Sequence, residues 1–215
     1  IANSTDAGGH ISHGSVGVFG RRIQNRGQSL KMGGKNAINL HHLPLTEDHY
    51  HVDAQKTIEL IDELSPQLVI MGKSLFLFPE PVSEVAAYCK TKQIPLLYDG
   101  AHVLGLIAGG QFQDPLHEGA TWMTGSTHKT FPGPQRGVIL GNLDPEDEKK
   151  YWPAADRGVF PGSSSNHHLN TLPALLVATR EMKQYGRDYA AQIVRNAQAL
   201  GSSLDELGTP VEARE

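Results

Sequence analysis

One cysteine, Cys89, is all that the 215 residues contain, so no disulfide can form within the chain and a reducing, cytoplasmic setting is expected. A basic excess is missing too. Nineteen Lys and Arg against 23 Asp and Glu leave a formal net charge of -4, the wrong balance for a nucleic-acid or anionic-membrane surface. Nowhere do apolar residues run for the ~20 positions that a membrane-spanning helix requires. Aromatic residues are sparse at 7%, whereas 23 Gly and 13 Pro make turns plentiful. What remains is an ordinary globular composition, long enough for one large domain. The chain starts at Ile1-Ala2-Asn3, with no initiator Met and no signal-like segment, and enters a Gly/His-rich loop within its first ten residues. It stops just after a long helical pattern. An internal piece of a longer protein is expected.

Strand-like and helix-like segments alternate along the chain. Residues 37–43 read as a strand. Asp53 can cap a helix to about Leu64, with Ala54, Ile58, Ile61 and Ser65 on one face. Residues 67–72 form a short apolar strand, and a helix opened by Pro81 runs to about Lys92. Strands follow at residues 95–99, 120–125 and 137–141. Nearly continuous apolar strands separated by helices predict a parallel sheet with helices on both faces. The last connection, residues 126–136, is too short and too rich in Gly and Pro for a crossover helix. The final strand is therefore predicted to run antiparallel. Beyond it the chain reads as helical, with one stripe at Leu172, Leu175, Leu176, Thr179 and Met182. A second stripe lies at Tyr189, Ile193, Leu200, Leu204 and Leu207.

Ligands of open α/β sheets collect at the carboxyl ends of parallel strands. Three polar features fall there: Gly72-Lys73-Ser74, Asp99-Gly100-Ala101-His102, and Ser126-Thr127-His128-Lys129. Asp99 alone reads as an ordinary turn or cap residue, and most lysines are solvated charges. A Lys beside a stiff Pro/Gly turn at the inner end of a sheet is different. Desolvation there lowers an amine's pKa, as imine chemistry requires.

These blocks resemble the serine hydroxymethyltransferases. Asp99-Gly-Ala-His102 and Thr127-His-Lys129-Thr130 are similar to that family's D-x-A-H and T-H-K-T blocks. Gly8-Gly-His-Ile-Ser-His-Gly14 resembles its G-G-H-L-T-H-G loop, and Val159-Phe-Pro-Gly162 its V-F-P-G block. The four occur in order across nearly the whole chain. The resemblance implies an α/β, fold type I domain that holds pyridoxal 5'-phosphate. Residues 1–205 would belong to that large domain, and 206–215 would begin a smaller C-terminal one. Lys129 would carry the cofactor as a Schiff base, and Asp99 would pair with its ring nitrogen. His102 and Ser74 would lie near the phenolic oxygen, and His10 on the opposite ring face. Ser126, where the family usually has Thr, and His128 would support the lysine. Gly162 and Ser163 would approach the phosphate of a neighbouring subunit, although the Ser163–Asn166 run also reads as a helix cap.

The resemblance further implies serine–glycine interconversion with one-carbon transfer to tetrahydrofolate, in a cytoplasmic homodimer or tetramer with shared active sites. The departures are specific. The family's G-P-R-G-G reads Gly133-Pro-Gln-Arg-Gly137 here, and Ser-Ser-Ser-Asn-His-His replaces the usual residues after Gly162. They point to a divergent branch, closer to archaeal-type enzymes or threonine-transaldolase-like relatives, so folate-independent cleavage of a threonine-like substrate stands as the alternative. The family's phosphate-gripping Ser-Gly loop and acid/base Glu would lie upstream of residue 1, and its carboxylate-binding Arg downstream of residue 215. A third reading is a His-rich metal hydrolase. The pairs His10/His13, His41/His42, His49/His51 and His167/His168 offer ligands, but none forms a helical H-E-x-x-H.

Overall fold

Among the described residues every strand is short, and each parallel step is long enough to carry a helix across the sheet. The computed structural model describes residues 1–14, 17, 39–166 and 168–212. Four strands, β1 (Val69–Gly72), β2 (Leu96–Asp99), β3 (Trp122–Ser126) and β4 (Gly137–Gly141), lie in the order β1-β2-β3-β4. The first three are parallel. β4 returns antiparallel on β3, from Ser126 opposite Gly137 to Trp122 opposite Gly141. The short turn-rich connection thus does what its length dictates.

The strand expected over 37–43 takes a different form. Ala37 and Ile38 fall outside the described residues, and His42 makes only an isolated parallel bridge with Ala2. Ala2 also bridges Ile70, so residues 1–3 lie along β1 and 41–43 lie beyond them. Pro44 has no N–H with which to extend that ladder.

Helix α1 (Ala54–Leu64) starts where the Asp53 carboxylate accepts the Lys56 N–H at 2.9 Å. Its buried residues are Thr57 and Ile61, flanked by Ala54, Leu60 and Leu64. The inner face is therefore turned slightly from the one expected, and Ser65 serves as the left-handed cap instead. Helix α2 (Val82–Thr91) packs on α1 and buries Val82, Val85, Ala86 and Cys89 against Val69, Met71, Leu96 and Tyr98 of the sheet. All of β1 is buried, whereas burial alternates along β3, and Ile139 and Leu140 of β4 are exposed. Coverage is complete at β1 and thins toward β4.

Burial pushes the Cys89 thiol up to about 11, which leaves almost no thiolate at neutral pH. Maleimide labelling of the folded protein is expected to be at least ~100-fold slower than that of an exposed cysteine, and to reach the exposed rate after denaturation. Fast labelling of the native protein would contradict this packing.

After β2 comes the short helix α3 (Leu104–Ala108), and after β4 the helices α4 (Pro145–Val159) and α5 (Leu172–Glu206). Asp144 caps α4 by accepting the N–H groups of Glu146 and Asp147. α5 is one continuous helix of 35 residues, about 52 Å long. Its buried residues are Ala178, Met182, Gly186 and Ala190. Leu172, Leu176, Tyr189, Leu200, Leu204 and Leu207, all assigned to apolar stripes by periodicity, are exposed. Close approach decides this. A Cβ on Gly109, just past α3, would lie 2.4 Å from the Gly186 carbonyl and 2.5 Å from the Ala190 Cβ. Only a seam of small residues lets α5 settle there.

Candidate functional site

The sheet register sets Gly72, Asp99 and Thr124 in one row across the carboxyl ends of β1, β2 and β3. The polar turns that follow these strands therefore lie side by side. Ser74 follows β1, Asp99 ends β2, with His102 three residues on, and Ser126 ends β3 just before Lys129.

Asp99 is buried, and each of its carboxylate oxygens has a partner. Its Oδ2 lies 3.0 Å from Nε2 of His13, itself 5% exposed, and its Oδ1 accepts the Ala101 N–H at 3.0 Å. Burial by itself pushes the Asp99 carboxyl up. The His13 hydrogen bond, the Ala101 N–H and the nearby His13 and His10 charges outweigh it and hold the group below the ordinary carboxylate value. His102 moves down as well, first through burial and then through the adjacent Lys129 charge, against the pull of Asp99. The site thus pairs an ionised carboxylate with a neutral imidazole beside an amine.

His10 stands at the start of a 3-10 turn (Ile11–His13), where its Nδ1 accepts the Ser12 N–H at 3.1 Å and lies 2.7 Å from the Ser12 hydroxyl. Its ring meets that of His13 edge-on at 6.1 Å. The loop bearing both imidazoles is tied to the turn after β1 by Ser74 and Leu75, whose N–H groups donate to the Gly8 carbonyl at 2.8 and 3.2 Å.

Lys129 is half-buried, as are Ser74, His102 and Ser126, whereas His128 is exposed. Two threonines hold the lysine turn. The Thr127 hydroxyl lies 2.5 Å from the Pro134 carbonyl and 3.1 Å from that of Arg136. The Thr130 hydroxyl donates to the His102 carbonyl at 2.7 Å and accepts the Gly105 N–H at 3.1 Å. Thr130 therefore joins the Lys129 turn directly to the segment after Asp99. Neither threonine was singled out for this task by motif reasoning, nor was His13 as the partner of Asp99. Its place three residues after His10 in the Gly/His loop was the available signal.

Gly162 and Ser163 are placed differently. The Gly162 N–H donates to the Arg157 carbonyl, and the Ser163 hydroxyl to those of Gly158 and Val159, so their bonds close the C-terminal end of α4. Arg136, which follows the lysine turn, donates to the Thr171 hydroxyl and the His168 carbonyl at the entrance to α5.

Among the described residues no group of three or more His, Cys, Asp or Glu converges, so the histidine pairs within them build no metal centre. His51 pairs with Asp48 and stacks on Phe78, and His167 lies outside the described residues. Nor, among those residues, is any helix long and apolar enough to cross a membrane.

The residues present fit a cofactor with a basic ring nitrogen, a phenolic oxygen and an aldehyde. An ionised carboxylate, a neutral imidazole and a primary amine are the complementary groups. Comparison with known proteins agrees. The serine hydroxymethyltransferase family model matches residues 2–213. The chain is 45% identical over 208 residues to the serine hydroxymethyltransferase of Methanocella arvoryzae, covering 97% of this chain and 44% of that protein. To the enzyme of that name from Methanosphaera stadtmanae it is 49% identical over 201 residues, 94% of this chain and 43% of that one. The chain therefore spans less than half the length of the curated relatives it matches. Among solved structures, L-threonine transaldolase from Pseudomonas fluorescens in its internal aldimine state superposes with a TM-score of 0.76 at 34% identity. That match covers 96% of this chain and 43% of the other. The α/β fold, with one antiparallel strand beside three parallel ones, is that of a fold type I pyridoxal-phosphate enzyme, and the chain belongs to the serine hydroxymethyltransferase family.

Proposed function

We propose that this chain forms the cofactor-holding part of a pyridoxal-phosphate-dependent transferase that interconverts serine and glycine, with tetrahydrofolate taking the one-carbon unit. The observation that carries the reading is the buried Asp99, kept ionised by His13 at one end of a cluster that holds neutral His102 and Lys129. When bound, pyridoxal phosphate supplies an electron sink for the pair left at the substrate Cα as the Cα–Cβ bond breaks. Lys129 would hold the cofactor through its ε-amino group. Asp99 would accept the ring N–H and keep that proton in place. His102 and Ser74 would donate toward the phenolic oxygen, while His10 would cover a ring face and exclude water. Ser126 and His128 flank Lys129 and would orient it.

Gly162 and Ser163 would reach the phosphate held by a second subunit, in a homodimer or tetramer acting in the cytoplasm. Ser163 is exposed and Gly162 half-buried just past the end of α4, which leaves the serine accessible to such a partner.

The likeness to a threonine transaldolase supports a second reading, folate-independent cleavage or transfer on a threonine-like substrate. Turnover measured on the full-length protein separates the two. Serine cleavage is expected to rise at least ~10-fold on adding tetrahydrofolate, about 1.4 kcal/mol of barrier. Rapid release of acetaldehyde from threonine, with serine turnover indifferent to folate, would replace the first reading by the second.

A further inference from the structure

Beneath the row of strand ends lies an ion pair that touches none of the groups assigned to the cofactor. Lys73 Nζ and Glu80 Oε1 are 3.1 Å apart, with side-chain exposures of 5% and 1%. A buried pair of this kind brings little net stability, because desolvating both charges offsets their attraction. Its value lies in what it fixes.

Glu80 Oε1 also accepts from Asn3 Nδ2 at 2.8 Å, and Glu80 Oε2 accepts the Gly72 N–H. The same Asn3 Nδ2 donates to the Gly72 carbonyl at 3.1 Å. Both backbone groups of Gly72 are thus held by the Glu80–Asn3 pair. Gly72 sits at φ +87°, and a Cβ there would lie 2.3 Å from the Asp99 carbonyl oxygen. Gly72 therefore packs directly against the Asp99 backbone, so a shift at the end of β1 would displace Asp99. Two residues later Ser74 donates to Gly8, which leads into His10. The backbone of Glu80 is itself fixed, since it exchanges two hydrogen bonds with the Gln113 side chain at 3.0 and 3.1 Å. That amide also accepts from the Tyr98 hydroxyl, on the residue before Asp99.

From this arrangement we infer that Glu80, with Asn3 and Lys73, is a positioning residue: by fixing Gly72 it sets Asp99, Ser74 and the His10 loop for the cofactor. The inference rests on the cofactor reading given above. Glu80 acts through backbone placement and contributes no group to the cofactor or the substrate.

The test uses the full-length protein with added pyridoxal phosphate, reading the cofactor dissociation constant by absorbance and Tm in parallel. Glu80→Gln leaves one acceptor where three donors converge, and is expected to weaken binding about tenfold. Asn3→Ala is milder, about fivefold, and decides the matter if the Glu80 variant does not fold. The control is Ile61→Ala, a core change in α1 away from the turn. It is expected to lower Tm at least as much as Asn3→Ala yet leave the dissociation constant within about twofold. A merely structural role would tie affinity to Tm in all three. The inference is overturned if the Asn3 and Glu80 variants bind as wild type does, or if Ile61→Ala loses as much affinity as they do. Failure of the wild-type protein to bind the cofactor would sink the cofactor reading and this inference with it. Normal wild-type binding with unaffected variants sinks this inference alone.

Discussion

Replacing Lys129 by alanine is expected to abolish covalent capture of pyridoxal phosphate and to lower turnover by roughly 10²–10⁴-fold, the span typical of a positioned proton-transferring group. The readout is borohydride reduction followed by peptide mapping. In the wild-type protein the pyridoxyl group should fall on the peptide carrying Lys129 and on no other. Lys73 supplies an internal control, because it too stands at a strand end but is buried against Glu80. A modified Lys73, or an unmodified Lys129, would overturn the assignment. The fold should survive the substitution. The turn around Lys129 is held by the Thr127 and Thr130 hydroxyls, and the half-buried lysine side chain is not among those bonds.

The second large effect concerns Asp99. Asp99→Asn keeps the shape but removes the charge, and turnover is expected to fall about 10²–10³-fold, as when one preorganised electrostatic partner is lost. The substitution should also change the acid limb of stability. The folded pKa of Asp99 lies below its ordinary value, so the native state binds fewer protons than the unfolded chain in that window. Its contribution is complete above the ordinary carboxylate pKa near ~4 and is lost as pH falls through the folded value. A urea-melt series from pH 6 downward should therefore show a shallower loss of stability in Asp99→Asn than in wild type. Identical acid limbs would mean that His13 does not stabilise the ionised carboxylate.

Much of this was legible in the sequence, for identifiable reasons. Asp99 and Lys129 each follow a short apolar strand, and sheet topology alone brings such ends together. The antiparallel β4 followed from a connection too short to hold a helix. The face of α5 was read only in part: Leu175 and Met182 of the first stripe do pack on the core, but Gly186 and Ala190 carry the contact further along, where size matters more than hydrophobicity and Leu200, Leu204 and Leu207 stay exposed. The 41–43 segment was read as part of a strand because its residues suit one, but only a single bridge forms on each side of Ala2. His13 as the partner of Asp99 was hidden for another reason, its place three residues after His10 being only a faint signal. The two are far apart in the chain, and a histidine in a Gly-rich loop carries no local mark of its contact. Lys73 and Glu80 were the least readable, since a lysine at a strand end ordinarily reads as solvated.

The bonds that hold the site differ sharply in reach. Thr130 reaches back only 28 residues to His102 and 25 to Gly105, whereas Asn3 meets Glu80 across 77. Short loops close at lower entropic cost than long ones, and contacts between distant segments are the slow ones to form. The lysine and aspartate turns can therefore clasp each other early as the chain folds, leaving an open half-cradle. The segment bearing Asn3, His10 and His13 is expected to dock later, so that the site would become competent only when this distant segment closes over it.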